Sequence, residues 1–507
     1  MSVTEGLDYA STAAVPIRGA VVQLLGANQS VLATTATDAN GQFSFTAPAN
    51  TSVTVRVKAQ AVATGTPSWD ISVLNNANGN ALYVLDSSSF NTGTAAVTRN
   101  LNADSGWPDL NGTSYFAVRA AAPFAVLDTL YSAVQFVVAN GSATVNLPAL
   151  NVFWSDENRP STSWAPANGD IKTTLYQRDS VGGFPAGIYV LGLEHVDTDE
   201  YDQHVLAHEF HHFLEDALSR SDTPGDVHSL TDKLDMRLAF GEGFANAFSA
   251  MVLNDPQYRD SFGSRQDNST NLNIEASILG EKGWYKEASV HSLIWDFYDD
   301  AAGSADPDPD AVHLGYAPIY SVFRDELRTG QALTSIFPLV TALKAQAGAP
   351  VSGIDALVAA QAIRATDIDA FGSTETNDVG VDEALPLYTD VVLNGPIATV
   401  CGSAEVGTFN KVGNRRFLKF SVPAARTITV RVASTGLGTP IPDPDFVLFG
   451  DGPPQVSQAD GSTVEEASYA VEGGAYVLEV YEYSHIDPAA SNNVSRGDTC
   501  MNVTITG

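Results

Sequence analysis

The stretch VLAHEFHHFLEDAL, residues 205–218, carries three histidines and two glutamates in one short apolar run. The whole chain has nine histidines, and the window 195–228 holds six of them: His195, His204, His208, His211, His212 and His228. At about 100° per residue, Leu206, Phe210, Phe213, Leu214 and Ala217 share one helical face. His204, His208, His211, His212 and Glu215 share the opposite face, with Glu209 at its edge. An ordinary solvated face would carry Lys, Glu, Gln and Ser instead.

Within the run lies His208-Glu209-x-x-His212. Positions i and i+4 are neighbours on a helix, so both imidazoles can reach one ion at roughly 2.0–2.1 Å. Glu209 stands beside them, placed to hydrogen-bond a water on that ion without entering its coordination sphere. The plain alternative is a chance match in a surface helix. The density of imidazole on one face favours a metal.

A catalytic zinc takes three protein ligands and keeps one position open. The extended pattern H-E-x-x-H-x-x-G-x-x-H fails here, because position 215 is Glu and position 218 is Leu. A second helix, LAFGEGFANAFSAMV (residues 238–252), offers the third ligand. Phe244, Ala247, Phe248 and Met251 form its apolar face, and Glu242, Asn246 and Ser249 the other. A carboxylate on so apolar a helix is costly to bury unless paired or metal-bound. The alternative is a salt-bridged or capping Glu at a Gly241–Gly243 turn. Asn246, one turn on, is placed to orient a ligand.

The pairing HEFHH…GEGFAN, with Glu242 30 positions after His212, resembles the gluzincin metallopeptidases, the clan of thermolysin and the bacterial collagenases. The resemblance implies that His208, His212 and Glu242 bind Zn2+ and that Glu209 is the general base. It extends over residues 112–385. The longer run VDTDEYDQHVLAHEFHHFLEDALSRSD, residues 196–222, is also similar to exported bacterial proteins with this core. His211 departs from the small residue common in relatives at that position. It is expected to compete for the metal or to line the pocket, where His204 is also a candidate. In the clan, a strand before the zinc helix lines the cleft, which points to Ile188–Leu191. An oxyanion donor lies beyond the third ligand, which points to His291 or Tyr285 in the helical stretch GWYKEASVHSLIWDFYDD, residues 283–300. The acidic run DTDEYD, residues 197–202, either favours the helix start or binds Ca2+. An acidic subsite for a free amine, as an aminopeptidase needs, would draw on Glu194, Glu200 or Glu287.

The 507 residues suggest about three domains. Lys and Arg number 26 against 59 Asp and Glu, a formal charge of −33, which argues against nucleic acid and anionic membrane as partners. No apolar run approaches the length of a transmembrane span. The start, MSVTEGLDYA, lacks the basic and apolar regions of a signal peptide, and a mature exported form with an added Met is expected. The two cysteines, Cys401 and Cys500, lie near the end. A disulfide between them implies an oxidising compartment.

Residues 1–110 are poor in charge and rich in Thr, Val, Ala, Asn and Gly, and residues 17–59, which contain IRGAVVQLLGANQSVLATTATDANGQFSF, alternate with period two between Gly and Asn turns and read as a β-sandwich that resembles the transthyretin-like, carboxypeptidase-regulatory type. Residues 114–137 have a helical period broken only by Pro123 and are expected to open the catalytic domain, 111–388. Residues 389–507 return to β patterning and resemble the bacterial pre-peptidase C-terminal domain. There Asp443 and Asp445 are turn formers or Ca2+ ligands, and SADPDPDAVHLG, residues 304–315, is a further acidic loop. The expected fold is therefore multidomain: an α+β zincin-like catalytic domain, mostly helical around the zinc site, flanked by two all-β sandwiches. The expected function is a secreted or periplasmic zinc metallopeptidase acting on protein or peptide. The competing class is a non-catalytic exported binding protein with a structural or vestigial zinc site.

Overall fold

The period-two run of residues 20–75 forms β1 (Ala20–Gly26), β2 (Val31–Ala36), β3 (Ser52–Ala63) and β4 (Ser68–Asn75). These belong to a computed structural model that describes residues 6–108, 112–225, 227–276, 280–299, 312–403, 411–436, 442–486 and 498–507. The chain divides into two units, Met1–Leu218 with Ala245–Ile274, and Ser219–Phe244 with Glu275–Gly507. Residues 304–311 of the acidic loop lie outside the described residues.

In the first unit the N-terminal strands do not close into a sandwich of their own. Strand β4 pairs in parallel with β5 (Asn146–Trp154), and the sheet continues through β7 (Gly187–Val190) to the edge strand β6 (Leu175–Gln177), in the order β6-β7-β5-β4-β3-β1-β2. The sheet thus runs across residue 110. Parallel neighbours need a crossover, and helix α1 (Ala122–Phe136) supplies it. Pro123 sits in the first turn of α1, where its missing N–H costs nothing; it starts the helix instead of interrupting one. With the next turn, α1 makes an apolar helix over Ala122–Gly141, long enough by length and composition to cross a membrane. In the fold, α1 packs against β3, β4 and helix α2 (Gln203–Leu218), burying Val126, Leu127, Leu130, Ala133 and Val134.

Helix α2 lies against β5, β6 and β7. Leu206, Phe210, Phe213 and Leu214 are buried as their spacing predicts, and so are His204, His208, His211 and Glu215 on the other face. A second, smaller sheet joins Gly192–Leu193, β8 (Asp197–Thr198), β9 (Gln257–Phe262) and β10 (Asn268–Asn273).

Helix α3 (Met236–Leu253) is unbroken, and its two halves belong to different units. In the second unit, α4 (Glu287–Tyr298) forms inside the expected helical stretch. The segment from 388 onward builds two sheets. One has the order β11 (Tyr388–Asp390), β13 (Arg415–Val422), β18 (Gly474–Glu482), β15 (Pro444–Gly450), β16 (Gly452–Ser457). The other has the order β12 (Ala398–Gly402), β19 (Thr499–Thr506), β14 (Arg426–Ser434), β17 (Val464–Val471). Leu418, Phe420, Ile428, Val430, Phe446, Leu478 and Val503, drawn from both sheets, share one apolar core. The expected β-rich end is present, and Cys401 is joined to Cys500 across the pair β12–β19. The disulfide spans 99 positions. By the chain-entropy argument, closing a loop of this size stabilises by about 4.7 kcal/mol.

A buried ion network sits in the same unit. Arg237, near the start of α3, donates to both oxygens of Asp235 (2.9 and 3.0 Å) and to Glu479 Oε2 (2.7 Å), and Arg415 donates to Glu479 Oε1. Burial alone would push the Glu479 carboxyl up, but the Arg237 and Arg415 charges reverse this and hold it at about 2. A depressed carboxyl contributes stability that is fully present above its ordinary value of 4.5 and is lost as pH falls through 4.5 toward 2. Thermal unfolding across that window should therefore show a steep acid loss. Glu479→Gln should flatten it while costing about 3 kcal/mol at neutral pH, because two guanidinium groups lose their buried partner. An unchanged acid limb in the variant would show that Glu479 does not carry it.

Candidate metal centre

The helix that bears the histidines starts directly after Asp202. The carboxylate of Asp202, next to that helix start, is anchored on the neighbouring strand. Its Oδ2 accepts from Ser261 N and Ser261 Oγ, each at 2.8 Å. Asp199 likewise turns to Thr174 Oγ1.

On α2, His208 Nδ1 lies 2.8 Å from Asn246 Oδ1, and His212 Nδ1 lies 3.2 Å from Glu215 Oε2. Both acceptors are oxygens without a hydrogen, so each Nδ1 is the nitrogen that carries the proton and donates. This leaves Nε2 of each ring as a lone pair. The two Nε2 atoms face each other at 3.1 Å. Two lone pairs so close repel unless a proton or a cation lies between them. Two nitrogen ligands of a tetrahedral zinc with bonds of 2.0–2.1 Å stand about 3.3 Å apart, so the pair has the spacing of two ligands on one ion. Asn246 and Glu215 fix the tautomer and the ring planes, as partners of metal-bound imidazoles do.

Glu209 is held separately. Its Oε2 accepts from Tyr176 N at 2.6 Å, which ties α2 to the edge strand β6. The strand expected to line a cleft, Ile188–Leu191, is not at the edge. Strand β7 pairs with β6 on one side and β5 on the other, so its backbone groups are already used. The sheet edge beside Glu209 is β6, whose three residues carry too little period-two signal to be found by pattern.

His204 and His211 are both buried in this unit. His204 Nε2 lies 3.1 Å from the Asp255 carbonyl, and burial lowers the pKa of its ring. His211 is buried with its ring 5.2 Å from that of Phe248. His211, His212 and Glu215 form a second group with metal-holding spacing, but Glu215 is engaged on His212 Nδ1, the position of an orienting partner.

In the second unit, Glu242 lies within α3 and not at a turn; Gly243 is helical, and a Cβ there would meet Val290 at 2.6 Å, so glycine lets α4 approach. His228 Nε2 lies 3.3 Å from Glu242 Oε2 and 3.9 Å from Glu287 Oε2. His228 stands alone in a loop sequence, and only its place in the histidine-rich window marks it out. The two expected oxyanion donors are buried. His291 is 0% exposed, and burial lowers its pKa to about 3, leaving a neutral ring in the interior of α4. Tyr285 is buried too, with its hydroxyl donating to Lys282 O at 3.2 Å. Both are buried, as are His208, Glu209 and Glu242. Helical period places a residue on a face without telling what covers the face.

Other acidic groups are structural. Glu200 is buried against Arg119 at 2.6 Å and Trp154 Nε1 at 3.2 Å, which removes it as a subsite for a free amine. Asp443 accepts from Gly461 N at 3.0 Å and Ser462 N at 3.1 Å, so its carboxylate ties two distant segments together and forms no local turn with them. Burial, then repulsion from Asp443 and Glu465, pushes its neighbour Asp445 up to about 8.

Residues 148–324 match the Mycolysin C-terminal domain family, a stretch that contains α2, α3 and α4. No curated protein matches the chain. Among solved structures, the chain is similar to the pre-peptidase C-terminal domain of a collagenase from Bacillus anthracis, at 20% identity and TM-score 0.16, over 23% of this chain and 93% of that one. It is also similar to CorA, a surface-associated copper-binding protein of Methylomicrobium album BG8, at 9% identity and TM-score 0.17, over 24% of this chain and 98% of that one. A third is PliG of Aeromonas hydrophila, a periplasmic inhibitor of g-type lysozyme, at 20% identity and TM-score 0.14, over 23% and 96%.

If Asn246 orients His208 for a metal, Asn246→Ala should leave α2 folded and weaken metal binding roughly 10–100-fold in a chelator competition. Unaltered affinity would mean that the amide serves packing alone.

Proposed function

We propose that the chain is a zinc-dependent metallopeptidase in which His208, His212 and Glu242 hold one zinc ion and Glu209 is the general base. The observation that carries this reading is the pair of Nε2 atoms facing each other at 3.1 Å, each with its Nδ1 donating elsewhere. Glu242 is assigned as third ligand because it lies one turn before Asn246 on the unbroken helix α3, and therefore on the same face. The donor set, two imidazoles and a carboxylate, suits zinc in a catalytic site. The similarity of residues 148–324 to a Mycolysin C-terminal domain supports a peptidase, and the Cys401–Cys500 disulfide supports an exported protein.

Zinc bound there would polarise the scissile carbonyl and lower the pKa of a water toward ~7. Glu209 then takes the proton of the attacking water and returns it to the leaving amine. The hydrogen bond from Tyr176 N keeps this carboxylate at the sheet edge, where an extended peptide could add as a further strand. His228, beside Glu242, orients that ligand.

The test is a metal assay joined to a peptide-library screen on four variants. Glu209→Gln should retain zinc and lose roughly 10²–10⁴-fold in hydrolysis. His212→Ala and Glu242→Ala should lose tight zinc binding, while His204→Ala should keep about one zinc per chain. A His212→Ala protein that still holds zinc tightly would overturn the ligand set, and an active Glu209→Gln would overturn the base.

A further inference from the structure

The segment just before α2 crosses back over β9, and three carboxylates meet there. Asp197 lies on β8, Asp199 in the single turn Asp199–Tyr201 and Asp260 on β9, where β8 and β9 pair at Asp197 and Phe262. One carboxylate oxygen of each lies within 4.8 Å of the other two. Asp202, anchored on Ser261, adds a fourth negative group close by.

A cluster of acidic residues on a surface is ordinary, because water and salt screen it. This one is buried. Asp199 is 3% exposed; its Oδ2 accepts from Thr174, and its Oδ1 has no hydrogen-bond partner. Asp197 Oδ1 is also buried without a partner, and so is the hydroxyl of Thr198, which is 0% exposed. No Lys, Arg or His forms an ion pair with Asp197, Asp199, Asp202 or Asp260 among the described residues. Burial raises all four carboxyls above the usual range, and mutual repulsion adds to it at Asp197, Asp199 and Asp202. An unpaired buried carboxylate costs several kcal/mol, so this arrangement is stable only with protons or with a cation.

We propose that Asp197, Asp199 and Asp260 bind a divalent hard cation of the calcium class. The donors are all oxygen, and carboxylate clusters without nitrogen or sulfur select such ions over zinc. The unsatisfied Oδ1 of Asp199 is the buried group that the ion completes. The ion links the strand and turn leading into α2 to the β9–β10 hairpin, so it stiffens the frame from which His208 and His212 project. The inference stands on these carboxylates alone and does not depend on zinc.

The test is calcium binding by the full chain, counted by equilibrium dialysis in calcium-free buffer supplemented up to about 10 mM calcium, beyond the weakest extracellular sites near ~1 mM. Wild-type protein should bind calcium and gain about 2–3 °C in Tm at a hundredfold excess over Kd. Asp199→Asn and Asp260→Asn should each bind one calcium fewer and lose that Tm gain, with zinc content unchanged. Asp260 is less buried than Asp199, so Asp260→Asn carries the comparison if Asp199→Asn fails to fold. Magnesium in place of calcium should give a smaller shift, since the rigid octahedral ion fits a carboxylate cage poorly. Absence of calcium binding by the wild type, or equal calcium counts in wild type and Asp260→Asn, would overturn the proposal and leave shared protons as the neutralising charge.

Discussion

Two imidazole nitrogens that face each other at 3.1 Å, each with its other nitrogen already donating, are the constraint around which α2 is arranged. The arrangement is unfavourable for α2 by itself, because neutral rings would turn apart. It is held by Glu215 on the same helix and by Asn246 on α3. The cost of that geometry explains why the polar face of α2 is buried. Water at that face would screen the rings and free them to rotate, whereas the surroundings of α1, the sheet and the β9 strand keep them in place.

The large sheet of the first unit serves the same end. The parallel pair β4–β5 with its α1 crossover gives α2 a rigid floor, and the edge strand β6 reaches Glu209 through one backbone N–H. That bond fixes the Glu209 carboxylate against the sheet edge, and it is charge-assisted, so it is strongest while Glu209 is ionised. In the second unit the comparable anchor is the Arg237 network, which ties the first residues of α3 to Asp235 and to Glu479 of the β-rich segment. Here two guanidinium charges outweigh the burial of a carboxylate. At the Asp197, Asp199 and Asp260 cluster no such charge is present among the described residues, and the same burial calls for bound protons or a cation.

The amino-acid sequence by itself determined the elements with a strong period. The helices of residues 203–218, 236–253 and 287–298, the alternating strands that begin within residues 17–59 and the β-rich end all follow from local spacing of apolar side chains. The i, i+4 histidine pair was legible for the same reason, since a helix alone brings those positions together. The pairing of Cys401 with Cys500 needed only their count. Tertiary structure decided whatever depends on contacts between distant segments. Periodicity could not show that β4 pairs with β5 across 70 intervening residues, that Ile188–Leu191 is an inner strand, or that His291 points into an apolar interior. Nor could it show that Asp197 and Asp199 meet Asp260, because a run of acidic residues reads as a solvated loop until the strand that covers it is known. Local spacing says which face a side chain occupies; only the packing of remote segments says whether that face meets water, apolar side chains or another charge, and it is this that sets the chemistry of each group.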